Sequence, residues 1–156
     1  MDGKAQGLVM INKKILSKAK NSLILNGFIK IDNTLQIGKD FSGDADFALQ
    51  TGPLLISNGK EIKLKMERDK PARRMIFAKN LSGRSVFITV FDPETEKIGP
   101  YLTDLPDIVQ LINRKENLNL TDAVNSDGGG ASAFYSSGKI LTESVPVGSW
   151  WCVLPP

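Results

Sequence analysis

Histidine is absent from this 156-residue chain. That excludes Ser-His and Cys-His catalysis and any zinc site built on imidazole, so acid–base work falls to carboxylates, lysines or tyrosines. Cysteine occurs once, at Cys152, which excludes an internal disulfide framework. Set among Trp150, Trp151 and Val153, that thiol reads as a small packed hydrophobe rather than a nucleophile. No apolar run approaches the roughly 20 residues that a membrane-spanning helix needs. Met1-Asp2-Gly3-Lys4 lacks the apolar core of a signal peptide, so the chain as it stands reads as soluble and without an export label. A strong net charge is lacking too: 20 Lys and Arg against 17 Asp and Glu leave +3. No nucleic-acid partner is expected, since the nearest basic cluster, Lys70-Pro71-Ala72-Arg73-Arg74, is too short to track a phosphate backbone.

With 41% hydrophobic and 24% charged residues, the chain has an ordinary globular composition, and its length suits one domain spanning residues 1–156. Short apolar runs punctuated by turn residues dominate. Gly7–Ile11 reads as a strand ending at Asn12-Lys13-Lys14, and Leu23–Ile31 as a strand whose second half alternates well. Asp32-Asn33 then turns the chain back into Thr34–Ile37, and Gly38–Asp46 is a polar loop. Phe47–Gln50 leads into Thr51-Gly52-Pro53, a turn that cannot lie in a central strand. Leu54–Ile56 and the turn Ser57–Lys60 follow, and Glu61–Arg73 is so charged that a solvated loop is expected. Arg74–Ala78 and Arg84–Phe91 form a hairpin through Asn80–Gly83, and the second run, apolar on both faces, suggests a covered central strand.

One helix is expected, over about 103–115. Thr103 can cap it, Asp104 suits its positive end, and Leu105, Ile108, Val109 and Ile112 make one apolar stripe. Arg114 and Lys115 suit its negative end. Later, Ser136–Lys139 reads as a hairpin turn, and Val145–Leu154 closes the domain with Trp150 and Trp151 as anchors. The expected class is α+β: a strand-rich twisted sheet with one main helix and a glycine-rich loop at a strand end.

That loop follows the strand Asp122–Asn125 and runs Ser126-Asp127-Gly128-Gly129-Gly130-Ala131-Ser132-Ala133-Phe134. Three successive glycines cost backbone entropy, tolerable where positive φ or a close approach is needed. Two readings stand side by side: a tight turn, or a ligand loop with a carboxylate at its mouth and bare N–H groups for an anion. Its place after a strand–helix unit is where ligands bind in sheets covered by helices.

Ala48–Leu55, Asn58-Gly59-Lys60, Arg73-Arg74 and Asp122–Gly130, taken in order, form a specific combination. It resembles the phosphodiester glycosidase domain family, which includes the lysosomal uncovering enzyme and bacterial proteins linked to exopolysaccharide. The resemblance implies a hydrolase that releases a sugar from a sugar-1-phosphodiester, an α+β fold, a carbohydrate or sugar-phosphate ligand, and an exported or envelope setting. The site it implies gathers Gln50, Thr51, Gly52, Arg73, Arg74, Asn125, Gly128, Gly129, Gly130 and Ser132, with Asp127 as the catalytic carboxylate. An arginine fork could grip the phosphate, but neighbouring strand residues point to opposite faces, so one of the pair is expected to meet solvent or a carboxylate such as Glu67 or Asp69. No cofactor is implied, although an acidic, amide-rich loop can also hold a hard divalent cation such as calcium.

Two departures bear on activity. The family loop continues with hydroxyl residues where this chain has Ala131 and Ala133. Family members also carry an upstream Asn-x-Gly-aromatic-Phe segment, which this chain is expected to lack, because Asn26-Gly27-Phe28 sits in a strand-like context. The alternative to an enzyme is therefore a degenerate glycan-binding or envelope-associated module on the same scaffold.

Overall fold

The computed structural model describes residues 5–147 and 150–153, and of Asp127 the backbone but not the side chain. Two five-stranded sheets and a small hairpin carry the chain. The first sheet contains β1 (Val9–Ile11), β2 (Lys14–Ser17), β3 (Gly27–Ile31), β4 (Leu35–Gly38) and β5 (Phe47–Thr51), in the order β2-β1-β5-β3-β4. The second contains β6 (Leu54–Ser57), β7 (Lys60–Glu61), β8 (Arg74–Asn80), β9 (Ser85–Val90) and β10 (Leu120–Gly128), in the order β7-β6-β10-β8-β9. Helix α1 (Leu105–Lys115) leads into β10, and β11 (Phe134–Tyr135) pairs with β12 (Ile140–Leu141).

The turns explain the pairing. Asn12 and Lys13, at φ 50° and 64°, make the left-handed two-residue turn that suits the twist of the β1–β2 hairpin. Asn58 and Gly59 do the same between β6 and β7. At Thr51-Gly52-Pro53 the chain steps from one sheet into the other, so the turn read from the sequence becomes the junction of the two layers.

Side-chain alternation then sorts the core. Phe77 of β8 and Val124 of β10 join Ile29, Ile37 and Leu54 between the sheets. Their neighbours Ile76, Ala78 and Ala123 face the other way, under Leu105 and Val109 of α1. A third cluster, Leu8, Met10, Ala45 and Ala48 with Phe28 and Phe41 against it, involves β1, β5 and the loop after β4. The strand-rich architecture with one α-helix among the described residues is α+β.

Several expectations are corrected. There are two sheets rather than one, because Gly52–Pro53 breaks what would otherwise be a continuous strand. Strand β9 lies at a sheet edge, not its centre: Phe87 packs edge-on against Phe77 at 4.8 Å while Ile88 enters the helix-side cluster. Both faces are thus apolar without a second strand neighbour. The N-cap of α1 is Asp104, with no side-chain capping bond, since the Thr103 hydroxyl donates instead to Asp69 at 2.9 Å. The Glu61–Arg73 segment is largely irregular, as its charge implied, yet Ile62, Leu64 and Met66 pack partly against the core. Cys152 is exposed rather than packed, and of the two tryptophans only Trp151 is an anchor, stacked on Phe77 at 5.1 Å. Trp150 is about half exposed, and Leu154 lies outside the described residues.

Candidate functional site

Strand β10 is the spine of the site. It does not stop at Asn125 but continues to Gly128, pairing with β8 through Asn125↔Ile76, Asp127↔Met75 and Gly128↔Arg74. Two residues on β10 are spanned by one step on β8, so a bulge falls at Ser126. Bulges of this kind re-aim side chains and are common beside active sites. β10 runs antiparallel to its neighbours β6 and β8 and therefore parallel to β9, from which α1 crosses over β8 to reach it, so the loop lies at the carboxyl end of a strand–helix–strand unit. The side chain of Asp127 lies outside the described residues; its backbone opposes Met75, which lines the cavity described below.

The glycines are not equivalent. Gly128 is extended at φ −164°, whereas Gly129 has φ 66° and starts a short 3-10 turn, Gly129–Ala131. The left-handed conformation at Gly129 is one that a side chain would strain. Its N–H, expected to be bare, donates to the Arg73 carbonyl at 2.8 Å. The Gly130 carbonyl accepts from the N–H groups of Ser144 and Val145, tying the loop to the C-terminal segment.

Arg73 is buried and bound to this loop. Its Nε donates to Ser132 Oγ at 2.9 Å, its Nη1 to Glu96 O at 2.9 Å, and its Nη2 to Thr142 O at 2.6 Å and to the Ser132 carbonyl. Ser132 is itself fully buried and donates to the Gly129 carbonyl. The positive charge of Arg73 contributes to holding Glu143 below the usual carboxylate range, after the Glu143 backbone N–H and the Tyr135 hydroxyl. Tyr135 donates to Glu143 at 2.8 Å, and that bond raises the phenol pKa.

Arg74, the first residue of β8, lies beside Gly128, where a Cβ would sit 3.1 Å from its Nη1. It donates to Lys70 O at 2.7 Å and Pro100 O at 3.2 Å, and lies 3.5 Å from Asp69. Burial lowers its pKa and Asp69 raises it. Gln50, Thr51 and Gly52 form a second group. Thr51 Oγ1 donates to the carbonyls of Asn125 and Ser126, and Asn125 Nδ2 donates to Gly52 O at 3.0 Å. Gln50 turns away to bond the backbone of Leu8, Lys20 and Leu25. The structure thus brings together Thr51, Gly52 and Asn125 at one end of the bulge, and Arg73, Gly129, Gly130 and Ser132 at the other. It keeps Arg74 beside Gly128 and leaves Gln50 apart.

Beside the bulge is a cavity of about 690 Å³. It is lined by Ser126 and Ala131–Ala133, by Met75 and Phe87, and by the aromatic residues Phe134, Tyr135, Trp150 and Trp151. Among the described lining residues none is charged. The aromatic part was not read as site from the sequence. The Trp150-Trp151 pair was its one visible signal, and it reads equally well as packing. Among the described residues no cluster of three or more His, Cys, Asp or Glu could hold a metal, and no helix is long and apolar enough to cross a membrane.

The bulged, glycine-rich end of β10 thus lies beside a cavity whose described lining is uncharged. Comparison supplies the class: the family model described as phosphodiester glycosidase matches residues 1–153, and the chain belongs to that family. No curated protein matches it. A crystal structure of a hypothetical protein from Synechocystis aligns with a TM-score of 0.46 at 16% identity, over 88% of this chain and 30% of that one. That likeness is too slight to add to the fold, and the chain spans less than a third of the solved protein's length.

Proposed function

We propose that this domain hydrolyses a sugar-1-phosphodiester, in glycan or exopolysaccharide metabolism, with the sugar seated in the cavity beside Ser126 and Ala131–Ala133. The observation that carries this reading is the coincidence of two independent features. The loop that resembles the family motif also contributes a wall of the cavity. In this reading Asp127 is the carboxylate at the anomeric carbon, acting as nucleophile or as base toward water. Phosphate is a good leaving group, so demand on a general acid is low, in keeping with a chain that has no histidine. The aromatic lining offers faces on which a sugar ring can stack. Arg73 holds the loop through Ser132, and its charge adds to the field at the cavity edge. Gly129, at φ 66°, lets the chain turn from β10 into that wall.

A second reading, a glycan-binding module without turnover, is favoured by two observations. Both guanidiniums are occupied by protein acceptors, and Ala131 and Ala133 stand where the family resemblance implies hydroxyls. Sugar release from a sugar-1-phosphodiester, by the native protein and by Asp127→Asn, separates them. Native turnover that falls about a hundredfold or more in the variant supports hydrolysis. Saturable sugar binding without turnover in either protein supports the module. Turnover unchanged in Asp127→Asn removes Asp127 from the mechanism. A chelator control tests for a divalent cation.

A further inference from the structure

We infer that the face built by the β1–β2 hairpin and the segment 18–25 docks on an anionic lipid surface. From residue 3 to residue 31 the chain contains six lysines and no acidic residue. Lys13, Lys14, Lys18 and Lys20 are all exposed, and among the described residues none of the four is in an ion pair. Interleaved with them are exposed aliphatic side chains: Ile11, Ile15, Leu16, Leu23 and Ile24. Consecutive residues of a strand point to opposite faces, yet Ile15 and Leu16 are both more than half exposed, so neither face of edge strand β2 is covered.

The apex of this surface is built. Leu23 is 95% exposed, at a bend where Ser22 Oγ accepts from the N–H groups of Ile24 and Leu25. Gln50 clamps the segment from beneath, accepting from Lys20 N and donating to the carbonyls of Lys20 and Leu25. Gly52 allows the Ile24 carbonyl to approach, since a Cβ there would lie 2.2 Å from that oxygen. A leucine held out in water by bonds on both sides of it gains only if an apolar phase receives it.

Charge selects the occupant. A second copy seated face to face would set lysines against lysines, with Asp46, beside the Asn12 turn, as a partial offset. An anionic bilayer surface offers phosphate charge for the lysines and an acyl boundary for the aliphatics in one partner. The attachment lies on the surface and requires no membrane-crossing helix.

The test is co-sedimentation of the protein with phosphatidylcholine vesicles and with vesicles that also contain phosphatidylglycerol. Binding is expected only to the anionic vesicles and should weaken as salt rises. The double variant Leu23→Ser/Ile24→Ser should reduce it at least about tenfold, through lost apolar burial. Lys14→Gln/Lys18→Gln should reduce it independently and remove most of the salt dependence. All four side chains are exposed, and thermal melts establish that each variant is folded. No binding to anionic vesicles overturns the proposal, as does binding that both folded variants leave unchanged. Concentration-dependent dimerisation in sedimentation, abolished by the same variants, overturns it in favour of a second copy.

Discussion

Arg73 and Ser132 are joined twice across 59 positions of sequence, guanidinium Nε to hydroxyl at 2.9 Å and Nη2 to carbonyl. The hydroxyl also donates to Gly129 O, so one buried serine connects the arginine to the left-handed glycine. Ser132→Ala leaves a buried charged donor and a loop carbonyl without that partner. It should cost about 1–3 kcal/mol, read as a lowered urea midpoint. Ser132→Thr keeps the hydroxyl and should recover at least part of the loss.

Asp69 sets the acid limb of stability. Burial alone would raise its pKa, but the N–H groups of Thr103, Leu102 and Lys70 and the Thr103 hydroxyl hold it below the usual carboxylate value. The folded value therefore lies below the unfolded one of about 3.9. Stability from this group is complete above that pH and is lost as pH falls through the folded value. Denaturation between pH 3 and 6, compared for native protein and Asp69→Asn, should show an acid limb that the variant flattens. At neutral pH the variant should be less stable by about 1–3 kcal/mol, because an amide replaces a carboxylate facing five donors, Arg74 among them.

Gly52→Ala should be among the most damaging small substitutions. A methyl there meets the Ile24 carbonyl at 2.2 Å and the Asn26 N–H at 2.9 Å, both backbone atoms, with φ at 153°. We expect a loss of at least about 2 kcal/mol or failure to fold, measured by thermal melt. Gly138→Ala, with nothing within 4 Å of the added atom, should stay within about 0.5 kcal/mol of the native protein.

The two tryptophans should separate in fluorescence. Trp151 is wedged between Phe77 and Phe47, with ring centroids 5.1 and 4.8 Å away, while Trp150 is about half exposed against Tyr135. In iodide quenching, Trp151→Phe should leave a mostly quenchable signal and Trp150→Phe a mostly protected one. Trp151→Ala should destabilise by about 2–4 kcal/mol. Equal quenching in the two Phe variants would place both rings in water and contradict the wedge.

Local chemistry was legible along the chain. The hairpins at Asn12-Lys13, Asp32-Asn33, Asn58-Gly59, Asn80–Gly83 and Ser136–Lys139 lie where turn residues interrupt apolar runs, and α1 lies where the apolar stripe lies. The Thr103 cap was misread because a carboxylate 34 residues away took its hydroxyl, a partner that no local window contains. β9 was misread as central for a similar reason. An edge strand with apolar faces differs from a central one only in whether a neighbour is present.

By itself the sequence determined the family, through ordered motifs that need no coordinates, and the chemistry left open to a chain without histidine. It also raised the expectation that Arg73 and Arg74 would meet different partners. Only the tertiary structure decided what each meets. Arg73 closes the glycine loop onto Ser132, Arg74 joins Asp69, and a bulge at Ser126 puts the loop against an aromatic cavity. The Arg73–Ser132 link and the bulge depend on contacts between segments many tens of residues apart, and the register that creates them is a property of the paired strands together.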